Sequence, residues 1–165
     1  MQIIPMMLKE MEQEAHTTRK MLARIPEDKY DWQPHTKSMK MINLATHIAE
    51  LTGWVAMCLN TTELDFETSP YQPAVVNNNA ELMDFFETNL ATGKDQLAKA
   101  TEEQLMEMWT MRSGATIYVN CTKVEMIRSC YSQVVHHRAQ LGVYLRLLDV
   151  AIPGSYGPSA DEMSM

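Results

Sequence analysis

The spacing of apolar residues along the chain predicts four long helices. Apolar side chains recur at steps of three and four residues, the period of a helix with one buried face. These steps occur over residues 4–23, 39–60, 80–100 and 123–150. Pro26 ends the first segment and Pro153 follows the last, while Ser38 and Asn79 or a neighbouring Asn are candidate N-caps of the second and third.

The connections between these segments differ in character. TTELDFETSPYQPAVVNNN, residues 61–79, is polar and contains two prolines, so we predict a connection with little regular structure. WTMRSGATIYV, residues 109–119, predicts an extended crossover around Gly114, with a hairpin as one alternative. We therefore predict an all-α fold, a four-helix bundle with a long crossover before the last helix, formed by residues 1–165 as a single domain.

Composition and charge exclude several classes of protein. The chain has 165 residues, 45% hydrophobic, with a net charge of −7, and it lacks the basic stripe that a nucleic-acid-binding protein needs. No apolar run is long enough for a membrane span, and Glu10, Glu12 and Glu14 interrupt any signal-peptide core. The 3 cysteines form no Cys-x-x-Cys pair, which fits reduced thiols and predicts a cytoplasmic protein.

Two histidines lie on predicted buried faces. His47 and His137 each follow one apolar residue of their stripe by three positions and precede another by four, so both should point into the bundle. A buried imidazole needs a hydrogen bond or a metal. Taken singly, each is best interpreted as a core histidine with a hydrogen-bond partner; taken together, they favour a shared site. Gln133 lies one turn before His137 and should project beside it.

Four polar neighbours of these histidines leave alternatives open. Glu50 and His136 either support the site or are solvated. Gln140 either hydrogen-bonds a neighbouring helix or is solvated, and Arg138 either pairs with an acidic residue or is solvated, with solvation at least as favoured for both. Solvation is the favoured alternative for Glu50. Cys58 and Cys130 lie on buried stripes with no basic neighbour that would activate a thiolate, so we interpret both as core residues.

Two segments, SMKMINLATHIAELTGW and YSQVVHHRAQLGVYLRLLDVAIPGSYGPSADE, resemble the DinB-like family of damage-inducible bacterial proteins. The specific part is the run HHRAQLGVYLR, followed by IP and YGPS. The resemblance implies a four-helix bundle, a homodimer, and a divalent-metal site, nickel or zinc, made by three histidines. One of these lies on the second helix and two lie at i, i+4 on the fourth.

Carried onto this chain, the family's metal ligands fall on His47, Gln133 and His137, with Gln133 where the family has histidine. Three outcomes stay open. Gln133 ligates through its oxygen, a weaker ligand than imidazole; water fills its position; or the two histidines share a polar pocket without metal.

The resemblance leaves three functions in competition. The first is a divalent-metal-dependent enzyme, of the transferase or isomerase type that uses a low-molecular-weight thiol, or a hydrolase. The second is a non-catalytic, stress-associated dimer that binds a small ligand in the same pocket, and the third is a purely structural role. No separate catalytic base is evident in the sequence.

Overall fold

The computed structural model describes residues 2–163, which are mostly helical. Within that range the chain forms six helices: α1 (Ile3–Leu22), α2 (Met41–Glu50), α3 (Trp54–Asn60), α4 (Asn79–Lys99), α5 (Glu102–Leu105) and α6 (Lys123–Leu147). Three strands, β1 (Glu63–Asp65), β2 (Met108–Ser113) and β3 (Thr116–Thr122), form a small sheet. The prediction of a mostly helical fold is confirmed, but the chain is not all-α, and it has six helices where the sequence predicts four.

The core lies where α4 and α6 each contact α1, α2 and α3. Apolar residues of all six helices form one buried cluster, to which Trp109 of β2 contributes the largest side chain. None of the helices within residues 2–163 combines the length and apolar character needed to cross a membrane.

The predicted helix over residues 39–60 is wrong in its continuity. Helix α2 begins at Met41 after Lys40, without the predicted cap from Ser38, and a turn at residues 51–53 separates α2 from α3. The turn fits closely against α4: a Cβ on Gly93 would lie 2.2 Å from the carbonyl oxygen of Thr52. Gly93 therefore permits a close approach of two backbones instead of merely weakening its helix.

Helices α4 and α6 begin at side-chain caps. The Asn78 side chain accepts a hydrogen bond from the backbone N–H of Glu81, so the predicted asparagine cap is confirmed one residue before Asn79. Thr122 and Glu125 form a reciprocal capping box at the start of α6. Helix α6 ends at Leu147, three residues before the predicted end.

The crossover before α6 is a β-hairpin, the alternative given above. Strands β2 and β3 pair antiparallel around Gly114, whose φ of +55° favours glycine. Strand β1 pairs parallel with β2 and lies in the segment predicted to have little regular structure. Its Asp65 carboxylate accepts the backbone N–H of Gly114 at 3.0 Å, which ties this connection to the hairpin turn.

Candidate functional site

The structure brings His47 of α2 and His137 of α6 into contact. Their ring centroids are 4.8 Å apart with the rings at 72°, an edge-to-face arrangement. Both side chains are only partly buried, so they lie at the edge of the core and not inside the bundle as predicted. The predicted meeting of the two histidines is confirmed.

Each imidazole is held at Nδ1 by the side chain three residues later on its own helix. His47 Nδ1 lies 2.6 Å from Oε1 of Glu50, and His137 Nδ1 lies 2.7 Å from Oε1 of Gln140. A carboxylate or carbonyl oxygen accepts, so Nδ1 carries a proton in both rings, and in the neutral form of each ring the lone pair is on Nε2. Within residues 2–163, neither Nε2 has a hydrogen-bond partner.

Glu50 corrects one interpretation from the sequence. It was favoured as a solvated residue, yet only 9% of it is exposed. The same Oε1 that binds His47 also accepts the Tyr71 hydroxyl at 2.9 Å. Burial and this hydrogen bond raise the pKa of Tyr71 to about 12, so the hydroxyl keeps its proton and donates it.

Tyr71 was missed in the sequence because it lies in a segment without helical or strand periodicity. Across residues 70–76 the Tyr71–Glu50 hydrogen bond is the sole hydrogen bond to the rest of the described chain. The segment is therefore held beside His47 by this hydrogen bond and by the packing of Val76 against the core. No pattern in the sequence could have paired Tyr71 with Glu50, which lies 21 positions earlier.

Gln133, the third predicted ligand, lies on α6 one turn before His137, and it is exposed. It lines a cavity of about 210 Å³ between α3, β2, β3 and α6, here called the sheet cavity, together with His47 and Trp54. Gln133 is thus near His47, but within residues 2–163 no hydrogen bond joins it to either imidazole. Within residues 2–163, no group of three or more His, Cys, Asp or Glu side chains is arranged to hold a metal ion.

A larger cavity lies on the other side of His47. It has a volume of about 400 Å³ and is here called the loop cavity. It is lined by Met39, Asn43, His47, Trp54, Phe66, Tyr71 and Pro73. The volume is in the range of small-molecule sites. His47 and Trp54 line both cavities, and their rings are 6.2 Å apart, so the histidine pair borders a space large enough for an organic ligand.

His136 and Arg138, the other two polar neighbours on α6, have different roles. His136 is exposed, with its ring 4.9 Å from that of His137. Arg138, for which solvation was at least as favoured as pairing, is only 2% exposed and pairs with Glu14 of α1. Arg138 is therefore a structural contact between α1 and α6 rather than part of the histidine site.

The pKa of His137 lies below its ordinary value of 6.5. Burial is the main cause; the hydrogen bond that His137 donates to Gln140 opposes it, and the neighbouring His47 and His136 lower the pKa further. His137 is therefore neutral at neutral pH, and its Nε2 is available to a metal ion or a proton.

Acid is expected to destabilise the metal-free protein partly through His137. The unfolded chain binds this proton at higher pH than the folded chain, so the stabilisation is complete above pH 6.5 and is lost as the pH falls from there through the folded pKa. Urea unfolding between about pH 5 and 7.5 measures the slope. His137→Gln should flatten it, and the exposed His16→Gln should not; equal slopes in the two variants would contradict the assignment.

The two buried cysteines are not activated as nucleophiles, as predicted from their positions on buried helix faces. Burial raises the pKa of both Cys58 and Cys130 to about 12. Because the thiolate is the nucleophile, we expect iodoacetamide to alkylate the partly exposed Cys121 at least about tenfold faster than either buried thiol. Mass spectrometry of the native protein measures the alkylation rates of the three cysteines. Unfolding in urea should make these rates equal. Faster labelling of Cys58 or Cys130 in the native state would show an activated thiol.

Comparisons with known proteins agree with the resemblance. A family model described as DinB family matches residues 2–164. A DinB-like protein from Bacillus subtilis is 20% identical, with a TM-score of 0.70 over 91% of this chain and 96% of that one. A DinB-like protein from Bacillus cereus is 16% identical, with a TM-score of 0.69 over 91% and 95%.

A mycothiol-dependent maleylpyruvate isomerase has the same fold. It is 12% identical, with a TM-score of 0.62, and the match covers 84% of this chain and 60% of that one. No curated protein matches the chain. The fold, the two diagnostic segments and the match of the family model over nearly the whole length lead to one conclusion: this chain belongs to the DinB family.

Proposed function

We propose that the chain is a divalent-metal-dependent enzyme that joins a low-molecular-weight thiol to a small molecule held in the loop cavity. In this proposal His47 and His137 bind the ion through Nε2, and Gln133 is a neutral third ligand or leaves its position to water. The observation that carries the proposal is the pair of touching imidazoles, each fixed at Nδ1 and free at Nε2.

The hydrogen bonds at Nδ1 are those that metal-binding histidines require. A ligating imidazole usually donates its other N–H to a carboxylate or carbonyl, which fixes the ring and raises its basicity. Glu50 and Gln140 supply these two acceptors. The donors therefore fit an ion with two imidazole ligands and open positions, although no third His, Cys, Asp or Glu joins them within residues 2–163.

A divalent ion bound there would supply Lewis acidity, which lowers the pKa of a coordinated thiol or water. The protein's own groups do the positioning. Glu50 fixes His47, Tyr71 closes the loop cavity above it, and the neutral His137 presents its Nε2 lone pair. The choice of a thiol as cosubstrate is supported by the shared fold with a mycothiol-dependent isomerase.

A conjugation assay tests the enzymatic part. Tag-free protein is stripped of metal, reloaded with Ni²⁺, Zn²⁺ or Mn²⁺, and mixed with 1-chloro-2,4-dinitrobenzene and a panel of low-molecular-weight thiols. The thiol sulfur bonds to the ring carbon, chloride leaves, and the thiol proton passes to solvent. We expect a metal-dependent rate that falls by about tenfold or more in His47→Ala and His137→Ala, and stays unchanged in His16→Ala.

A non-catalytic ligand-binding protein is the second candidate. It is favoured by one observation: the position of the family's third histidine is the exposed Gln133. Metal binding without thiol conjugation under any of the metals above would favour this candidate and count against the enzyme.

The homodimer, the cytoplasmic location and a role in stress remain predictions from the resemblance and the composition. The hydrolase alternative also remains. For the dimer, α6 offers a physical basis in Val143 and Leu147, which lie four residues apart and are 59% and 60% exposed. Sedimentation of the wild type and of Val143→Glu tests it: a dimer that the substitution dissociates is the expected result.

A further inference from the structure

The loop cavity has a chemical character that the histidine pair alone does not determine. Its walls are chiefly aromatic and apolar, with Trp54, Phe66 and Tyr71 contributing rings. Apart from His47 and the Tyr71 hydroxyl, which already donates to Glu50, the polar side-chain groups on the lining are the amide of Asn43 and the indole N–H of Trp54, both of them uncharged.

No positive charge faces this cavity from its lining, which contains neither lysine nor arginine. Arg112, the arginine of the adjoining sheet, is already paired with Glu63 and Asp65. The Glu50 carboxylate lies directly behind the lining, in contact with His47 and Tyr71. An anionic group in the cavity would therefore lie near a like charge with no cation on the lining to pair with it, which is unfavourable.

The Asn43 amide is available to a ligand. Its side chain makes no hydrogen bond within the described part of the chain, and it lies on the exposed side of α2, one turn before His47. It can donate and accept one hydrogen bond each at the cavity mouth. A ligand with an apolar ring and one neutral polar group would satisfy the lining and this amide together.

We propose that the loop cavity selects an uncharged aromatic small molecule whose polar group bonds to Asn43, and that it excludes the corresponding carboxylate. This rests on the proposed function in one respect, that the ligand beside His47 is the substrate. The selectivity is a property of the metal-free cavity lining, because a divalent ion on His47 would itself offer a carboxylate a cation.

Phenylacetamide and phenylacetate test this selectivity, because they match in shape and differ in charge. Each is titrated into tag-free protein in EDTA, and the indole N–H signal of Trp54, assigned with Trp54→Phe, reports binding by NMR. We expect phenylacetamide to bind at least about tenfold more tightly than phenylacetate, because Glu50 repels the carboxylate and no cation on the lining pairs with it.

A substitution at the cavity mouth is expected to improve the binding of the carboxylate. Asn43→Arg places a cation where the amide stands, and it should raise the affinity for phenylacetate by about tenfold or more and reverse the preference. Gln13→Arg makes the same charge change at an exposed position of α1 and should leave the preference unaltered. Phe66→Ala, which removes one aromatic ring from the cavity lining, should weaken the binding of phenylacetamide.

Two results would overturn the inference. One is phenylacetate binding as tightly as phenylacetamide to the unsubstituted protein. The other is the absence of saturable phenylacetamide binding, or binding that neither Phe66→Ala nor Asn43→Arg changes. Because EDTA is present throughout, failure of the metal site leaves this experiment intact, and a neutral-ligand preference without metal binding would support the inference while the proposed function fails.

Discussion

Gln133→His is expected to raise the affinity of the protein for Ni²⁺ and Zn²⁺ by at least about tenfold, the lower end of what even a supporting residue contributes to a metal site. The substitution places an imidazole one turn before His137, on the side of α6 that lines the sheet cavity with His47. An i, i+4 pair of histidines on one helix face can chelate one ion with a third from a facing helix. Isothermal titration of tag-free protein gives the two affinities.

Gln13→His in a His16→Gln background controls for the mere addition of a histidine, because Gln13 is exposed on α1 outside both cavities and no second histidine then lies one turn away. It should bind metal as the wild type does. If Gln133→His also binds metal no more tightly than the wild type, the α6 position does not reach the ion. The assignment of Gln133 as third ligand would then be withdrawn, and water would take the third coordination position beside the two histidines.

Arg138→Met is expected to cost about 3–5 kcal/mol of stability, the range for removing one partner of a buried ion pair. The guanidinium is 2% exposed and donates to the Thr18 hydroxyl at 3.1 Å and to the carbonyl oxygen of Glu14 at 3.2 Å. It also donates to the Tyr156 hydroxyl at 3.1 Å. The pair thus joins α1, α6 and the C-terminal segment.

The cost arises largely from Glu14. Its Oε2 lies 2.6 Å from Arg138 Nη1, yet that buried oxygen accepts no hydrogen bond of acceptable geometry within the described residues, so the contact is chiefly coulombic. Removing the cation would leave this carboxylate buried with only the Tyr156 hydroxyl on Oε1.

Urea unfolding measures the loss, and Arg128→Met is the matched control. Arg128 also reaches from α6 to a glutamate of α1, Glu10, but the side chain is 46% exposed, so we expect a loss below about 1 kcal/mol. A double variant, Glu14→Met with Arg138→Met, should lose less than the sum of the single losses, because no charge is left unpaired. Equal losses in Arg138→Met and Arg128→Met would show that burial does not set the cost.

Periodicity located the long helices well because each has one continuous buried face. It failed between α2 and α3 because the apolar stripe runs through Leu51, while the break is imposed by the close approach of α4 at Thr52. Such a contact is tertiary and leaves no period in the sequence. Strand β1 was missed for a related reason, since three residues are too few for an alternating pattern.

The candidate site was predictable to the extent that it lies on helix faces. His47 and His137 follow from their stripes, and Gln140 and Glu50 lie within reach at i+3. Their roles could not be predicted, because the sequence pattern is the same whether a polar residue at the edge of an apolar stripe is solvated or buried. Arg138 shows the same limit, since its partner Glu14 lies on α1, 124 positions earlier. Tyr71 comes from irregular chain and required the fold.

Metal binding by the histidine pair tests the central claim most directly. Tag-free protein stripped with chelator is titrated with Ni²⁺ and Zn²⁺ as wild type, His47→Ala, His137→Ala and the exposed-histidine control His16→Ala. We expect one ion per chain in the wild type and in His16→Ala, with imidazole NMR signals that show ligation through Nε2 of His47 and His137. The ion should be lost in the other two variants. Unchanged binding in His47→Ala or His137→Ala, or no binding by the wild type, would contradict the account.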